Sequence, residues 1–147
     1  MRLDGGAGEV GVESTIIDCT TQSPIILRPG AITAAMIQEV TSLSPQSNNT
    51  NNTKASGLLE SHYSPKATVL LDQTPKPGDG FIALSEVTTP QGVIRLASPK
   101  NNAEYAKLLY QALRDGDKQQ LKTICAQLPS GDDIAEAIRD RLNKAAN

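Results

Sequence analysis

Aromatic residues are nearly absent from this 147-residue chain: three tyrosines, one phenylalanine and no tryptophan make up 3% of it. With 38% of residues hydrophobic, any core must be built mainly from Ile, Leu, Val and Ala. Histidine occurs once, as His62, and cysteine twice, as Cys19 and Cys125, which are far apart and have no Cys-x-x-Cys spacing or histidine neighbour. That excludes a zinc site or a redox pair, and both thiols are expected to be small buried side chains in a reducing compartment. No stretch approaches the ~18 apolar residues that span a bilayer. No basic-then-apolar leader opens the chain either, so the expected location is the cytoplasm, away from membranes. Finally, no charge of one sign dominates, since 14 Lys and Arg face 16 Asp and Glu. A chain so balanced has no positive field with which to hold nucleic acid directly, although a nucleotide or other small ligand remains open.

What is present changes in texture along the chain. Gly5, Gly6, Gly8 and Gly11 form an opening in which the backbone turns and approaches something closely. Residues 12–18 and 25–27 are β-branched, extended runs separated by a turn, which predicts a hairpin. Thr33 is placed to cap a short helix over 34–40 with Ala34, Ile37 and Val40 on one face. Residues 41–55 are Ser, Asn, Thr, Gln and Pro with almost nothing apolar after Leu43, the composition of a flexible linker. Residues 56–66 hold His62, Tyr63 and Pro65. Pro65 favours ordered coil, so the stretch reads either as a lid over a pocket or as an ordinary connector pinned by its aromatic.

Short apolar runs at 67–71, 80–84 and 92–96, bounded by Pro, Gly, Asp or Ser, predict strands. Asn101 and Glu104 are spaced as a capping box for a helix over 102–115 whose inner face is Ala106, Leu109, Tyr110 and Leu113. Residues 122–128 fit either a strand or a helical stripe, and their shortness favours a strand. Asp132 and Asp133 precede a last helix with Ile134, Ile138 and Leu142 inside and Lys144 near its end. Strands followed by strand, helix, strand, helix imply a small, open, mostly parallel sheet with helices packed on it, an α/β fold.

Few residues offer chemistry. Ser14 and Thr15 on one strand and Arg28 at the end of the next would suit a phosphate or carboxylate, because guanidinium provides a bidentate fork and the hydroxyls add donors. The same residues also describe a solvated strand face with a surface arginine. Gly5-Gly6-x-Gly8 is no dinucleotide fingerprint, since no strand precedes it and no helix follows. His62 has no companion ligand for a metal. Asp115, Asp117, Asp132 and Asp133 sit at helix ends, where capping accounts for them.

Taken together, the motifs resemble a known family. Asp4-Gly5-Gly6, Gly11-Val12-Glu13-Ser14-Thr15-Ile16-Ile17-Asp18 and Ile26-Leu27-Arg28-Pro29-Gly30-Ala31-Ile32-Thr33 look like the closing part of the YrdC-like catalytic domain of L-threonylcarbamoyladenylate synthases. Residues 57–66 resemble the linker of the two-domain members, which ends in His-Tyr-small-Pro-Lys. Leu108-Leu109-Tyr110-Gln111-Ala112-Leu113-Arg114, and the run from Ala135 through Asp140-Arg141-Leu142 to Ala146, are similar to their C-terminal domain. The resemblance implies a partial YrdC-like α/β segment at 1–40, a linker at 41–66 and a Rossmann-like domain at 67–147.

It also implies an activity: threonine, bicarbonate and ATP, the last with magnesium, are condensed to threonylcarbamoyl-adenylate for tRNA threonylcarbamoyladenosine modification. By resemblance, Ser14, Thr15 and Arg28 fall where the nucleotide phosphates bind, and His62 and Tyr63 fall in the linker that closes over the site. Leu59 and Glu60 depart from the Lys-Tyr common at the matching positions. No residues match the family's Lys-x-Arg and Ser-x-x-Ser-Ala-Asn motifs. The expectation is therefore a C-terminal piece that is inactive alone, holds no ATP, and has the missing N-terminal catalytic portion as its partner. The other readings are a non-catalytic nucleotide- or partner-binding module, and a homodimer formed through the strand edge that truncation exposes.

Overall fold

The computed structural model describes residues 10–47 and 64–147. The opening glycines 5, 6 and 8 lie outside these residues, as do His62 and Tyr63.

The expected hairpin forms from β1 (Ile16–Asp18) and β2 (Ile25–Arg28), antiparallel, with Ile17 opposite Ile26 and Asp18 opposite Ile25. Asp18 shapes the turn by accepting from the backbone N–H of Thr20 (2.8 Å) and from its hydroxyl (2.7 Å). Alternation along β2 turns Ile26 and Arg28 inward. So short a hairpin has little inside to offer, and Cys19, just beyond β1, is exposed rather than buried as expected; only Cys125 is buried. α1 (Ala34–Thr41) starts on Thr33, whose hydroxyl accepts from Met36 N at 3.3 Å.

Two further expectations fail in this segment. Val40 was placed on the inner face of α1 but is 86% exposed, and Ile37 is the helix's buried residue. Periodicity says which side chains share a face, and it does not supply the surface that covers them. Gln46 and Ser47 have the composition of a linker, yet they form β3 (Gln46–Ser47), parallel to β2. Backbone pairing to an open strand edge needs no apolar side chains, so composition could not reveal it.

The larger part of the chain is a four-stranded, wholly parallel sheet in the order β4 (Thr68–Leu71), β7 (Thr123–Ala126), β5 (Gly80–Ile82), β6 (Ile94–Ala97). The ambiguous 122–128 run is thus a strand, and an interior one. α2 (Asn102–Lys118) connects β6 to β7, and α3 (Ala135–Ala146) follows β7. One sheet face, with Val69, Ile82 and Ile124, packs with Leu109, Leu113, Ile138 and Leu142 of the helices. Alternate residues, Leu70, Phe81 and Cys125, gather with Val87 and Val93 in a second, smaller cluster. Arg95 closes that cluster. Its guanidinium lies 5.0 Å from the Phe81 ring centre and donates to the carbonyls of Ala83, Leu84, Val87 and Ala97. Cover on both faces is why these strands read as nearly continuous apolar runs.

The helices differ from the pattern in detail. Asn101 caps α2 by accepting from Glu104 N at 2.9 Å, but Glu104 returns its bond to Lys100 N (2.7 Å), one residue before the cap. Tyr110 is only half-buried, and Tyr105, absent from the expected inner face, is fully buried with its hydroxyl donating to Gln127 O at 2.9 Å. Of the acidic pairs, Asp133 accepts from the backbone N–H of Ala135, the first residue of α3, at 2.9 Å, although Ile134 holds the cap position without a side-chain bond. Asp117 instead accepts from Lys66 N and Ala67 N at 2.9 and 3.2 Å, fixing the entry to β4.

Gly116 yields a test of this packing. An exposed helix glycine would gain about 1 kcal/mol on changing to alanine. Here an added Cβ would lie 2.5 Å from Ile124 Cδ1 and 3.3 Å from Leu96 Cδ1, with Ile124 itself 0% exposed. Overpacking of about 1–3 kcal/mol should outweigh the helix gain, so Gly116→Ala is expected to lower the urea midpoint. A raised midpoint would mean that Ile124 repacks at no cost.

Candidate functional site

The structure brings Ser14, Thr15 and Arg28 together where the chain enters β1 and leaves β2. Arg28 is buried, and its Nε and Nη2 donate to the Ser14 carbonyl at 3.0 and 2.9 Å, with Nη2 also 3.3 Å from Ser14 Oγ. The fork expected for an anion thus holds a backbone carbonyl and draws Ser14 onto the guanidinium. Thr15 faces the other way. Its hydroxyl donates to Ile32 O (2.7 Å) and accepts from Ile32 N (3.2 Å), tying the strand to the loop before α1. Gly30 makes the crossing possible, since a Cβ there would stand 2.5 Å from Glu13 O and from Thr15 N. Two rigid supports therefore leave Ser14, the exposed member of the set, at a fixed position.

The preceding residue belongs to a network that the sequence did not reveal. Glu13 Oε2 accepts from Arg141 Nε at 2.7 Å, and the Tyr110 hydroxyl lies 2.9 and 2.8 Å from the two carboxylate oxygens. Arg141, 5% exposed, also reaches Pro29 O at 3.4 Å and pairs with Asp140, which in turn accepts from Lys144 Nζ at 2.9 Å. Beside this network Val12 packs on the main core and Gly11 lies against the backbone of Lys107. Glu13 and Arg141 are 128 residues apart, and no local pattern couples residues at that separation.

Burial alone would push the Glu13 carboxyl up. The hydrogen bond from Arg141, a backbone N–H, the Tyr110 hydroxyl and the Arg141 charge outweigh it and hold the group below its usual 4.5. Arg141 is likewise lowered by burial but raised further by Glu13, Asp140 and Tyr110, so both partners favour their charged forms. A carboxyl whose folded pKa is depressed stabilises the fold above its unfolded value, and that contribution disappears as pH falls through the folded value. The groups facing Glu13 are Arg141 and Tyr110, with Asp140 and Lys144 behind them. The urea midpoint is expected to drop as pH falls below 4.5, and the drop should be shallower in Glu13→Gln. An equally steep drop in that variant would assign the effect elsewhere.

Among the described residues no group of three or more His, Cys, Asp or Glu could hold a metal ion, and no helix is long and apolar enough to cross a membrane. A cavity of about 320 Å³ opens where β4 and β7 end, lined among others by Asp72, Thr74, Phe81, Val87 and Gln127.

The family model for the C-terminal domain of threonylcarbamoyl-AMP synthase matches residues 32–147. The chain belongs to this family. Threonylcarbamoyl-AMP synthases of Pyrococcus abyssi and Bacillus subtilis are 30% and 29% identical to it over 98% of its length, and that of Schizosaccharomyces pombe is 29% identical over 100%. These matches take in 48%, 48% and 45% of the relatives, so the chain spans about half the length of the curated relatives it matches. In three dimensions it is similar to P. abyssi Sua5 complexed with L-threonine, with a TM-score of 0.75 and 26% identity over 97% of this chain and 48% of that one. A form of the same protein with an adjacent histidine and tyrosine changed to alanine gives a TM-score of 0.74 at 25% identity, over 97% of this chain and 47% of that one. The family assignment and the α/β architecture agree with what the motifs implied.

Proposed function

We propose that this polypeptide is the C-terminal portion of a cytoplasmic threonylcarbamoyl-AMP synthase. The whole enzyme would condense threonine, bicarbonate and ATP, the last with magnesium, for tRNA threonylcarbamoyladenosine modification. Residues 1–47 would complete the catalytic domain, since β3 joins its hairpin, 48–66 would link, and 67–147 would form the Rossmann-like domain. Ser14, Thr15 and Arg28 would serve the nucleotide phosphates, with Arg28 fixing Ser14 and Thr15 fixing the loop behind it. The observation that carries this reading is that Arg28 fixes Ser14 while Thr15 ties the same strand entry to the loop before α1, in a chain that belongs to the synthase family. His62-Tyr63 is the same dipeptide as the pair replaced in the P. abyssi variant, which supports reading it as the lid.

The 147 residues by themselves contain neither the Lys-x-Arg nor the Ser-x-x-Ser-Ala-Asn motif, so they lack the groups that would anchor ATP during reaction. The purified chain, supplied with ATP, magnesium, threonine and bicarbonate, is expected to release no pyrophosphate and form no threonylcarbamoyl-AMP. Detectable product would overturn the assignment as an incomplete catalytic unit. A homodimer through the open edge of β1 is a separate proposal, which a monomeric mass by light scattering would exclude. The second reading, a binding module without catalysis, is favoured by the cavity at the carboxyl ends of β4 and β7, the usual ligand position on open parallel sheets. Amide shifts around Asp72 and Gln127 on adding ATP, with none at Ser14, would select it.

A further inference from the structure

The buried Arg141 has no task in binding or chemistry in the proposed function, yet it touches the segment that leads into β1 and the residue that follows β2, on either side of the Ser14–Arg28 pair. Its Nε holds Glu13, the residue before Ser14, at 2.7 Å, and its Nη2 reaches the carbonyl of Pro29, the residue after Arg28, at 3.4 Å. Tyr110 of α2 secures the same carboxylate from the other side at 2.8 and 2.9 Å. Arg28 in turn grips the Ser14 carbonyl. The result is a closed ring in which three guanidinium contacts, Arg141 to Glu13, Arg28 to Ser14 and Arg141 to Pro29, are joined by the Glu13–Ser14 and Arg28–Pro29 peptide bonds. A guanidinium is suited to this, because its planar fork fixes direction as well as distance.

We infer that Arg141, acting through Glu13 and Pro29, is a positioning residue for the Ser14–Arg28 subsite, so that the C-terminal domain sets the geometry of a site to which it donates no ligand. The inference rests on the reading of Ser14 and Arg28 as a phosphate subsite. Its physical content is that the closed loop of bonds removes the hinge freedom of the two strand ends. Both arginines that close it are buried, Arg141 at 5% and Arg28 at 8% exposure, while the Glu13 side chain is 23% exposed.

The test uses the full chain and three single variants, Arg141→Met, Arg141→Lys and Glu13→Gln, together with the Glu13→Gln, Arg141→Met double. Hydrogen exchange of the Arg28 Nε–H is followed beside that of the β7 amides. If the chain positions the subsite, Arg28 exchange should accelerate about tenfold in Arg141→Met and less in Arg141→Lys, with β7 amides unchanged within about twofold. The double variant should be no worse than Arg141→Met alone, since both changes break the same loop. Glu13→Gln keeps the proposal testable if Arg141→Met fails to fold, because Glu13 lies outside the helices and the parallel sheet. Arg28 exchange unchanged in every variant, or rising only in step with β7, would overturn the inference. ATP titration followed at the Ser14 and Thr15 amides separates the two layers. Binding weakened about fivefold or more in Arg141→Met supports positioning of a nucleotide site, a change to be read against the tenfold-per-1.4 kcal/mol scale. No response to ATP in the parent would match the absence of the Lys-x-Arg and Ser-x-x-Ser-Ala-Asn motifs, and the exchange experiment would then decide the inference by itself.

Discussion

Tyr105→Ala is expected to bring the parallel-sheet domain to the edge of unfolding. Tyr105 is 0% exposed, stands in the main core with Leu109, Ile82 and Ile138, and donates its hydroxyl to Gln127 O at 2.9 Å. Truncating a buried aromatic side chain costs about 3–5 kcal/mol through lost transfer energy and the cavity left behind. Leaving the Gln127 carbonyl without its donor adds about 1–3 kcal/mol if the site stays dry. Against a total of about 5–15 kcal/mol for an ordinary domain, that is most of the margin. Burial also pushes the Tyr105 phenol well above its usual 10.0, so the hydroxyl stays a donor throughout the neutral range. Tyr105→Phe separates the two contributions, since it keeps the ring and removes only the bond, at the same cost of about 1–3 kcal/mol. Urea unfolding monitored by far-UV circular dichroism measures both. If Tyr105→Ala costs no more than Tyr105→Phe, the ring is not part of the core in the way described.

Gly11→Ala is expected to release the N-terminal segment from the helices while leaving the parallel-sheet domain folded. The backbone of Gly11 has a φ of +82°, and a Cβ there would stand 2.3 Å from Lys107 Cα and 2.5 Å from Ala106 O and Lys107 N. All three are backbone atoms of α2, and that helix is anchored by the fully buried Ala106 and Leu109, so it cannot yield. Left-handed φ costs alanine about 1–2 kcal/mol before any contact is counted. Lifting the segment also withdraws Glu13 from Arg141 and Tyr110, leaving Asp140 as the carboxylate partner of Arg141. Gly78 is the control, because it has a φ of +92° and nothing within 4 Å of an added Cβ, so Gly78→Ala should show the backbone cost alone. Amide exchange at Ile17 and Ile26 should rise sharply in Gly11→Ala and stay at parent values in Gly78→Ala. Equal protection in both variants would mean that the Gly11 contact contributes nothing to docking.

Legibility varied with the range of the interaction. The hairpin, the two long helices, the strand at 123–126 and the caps at Thr33 and Asn101 were readable because each depends on residues within a few positions of one another. Even there, α2 runs to Lys118 where the pattern ended it at 115. Tyr110 was assigned to the core because it shares the helical stripe, yet its hydroxyl takes a carboxylate from a segment 97 residues away. Val40 fits an inner face equally well and stands open. In the candidate site, Ser14, Thr15 and Arg28 stand out by residue type beside a turn; the structure joins Arg28 to Ser14 and turns Thr15 away to Ile32. That the Arg28 fork closes on the Ser14 carbonyl depends on the crossing at Gly30, which no spacing encodes.

By itself the sequence determined most of the local elements, the α/β class and the family motifs. These follow from periodicity, turn chemistry and composition, all of which act along the chain. Only the tertiary structure decided that β7 enters between β4 and β5, that Gln46 and Ser47 join a sheet, and that Arg141 of the last helix meets Glu13 at the opening of the first strand. The physical reason is common to all three. Backbone pairing and buried ion pairs are satisfied by whichever partners the folded chain brings within about 3 Å, and separation along the sequence sets no preference among them.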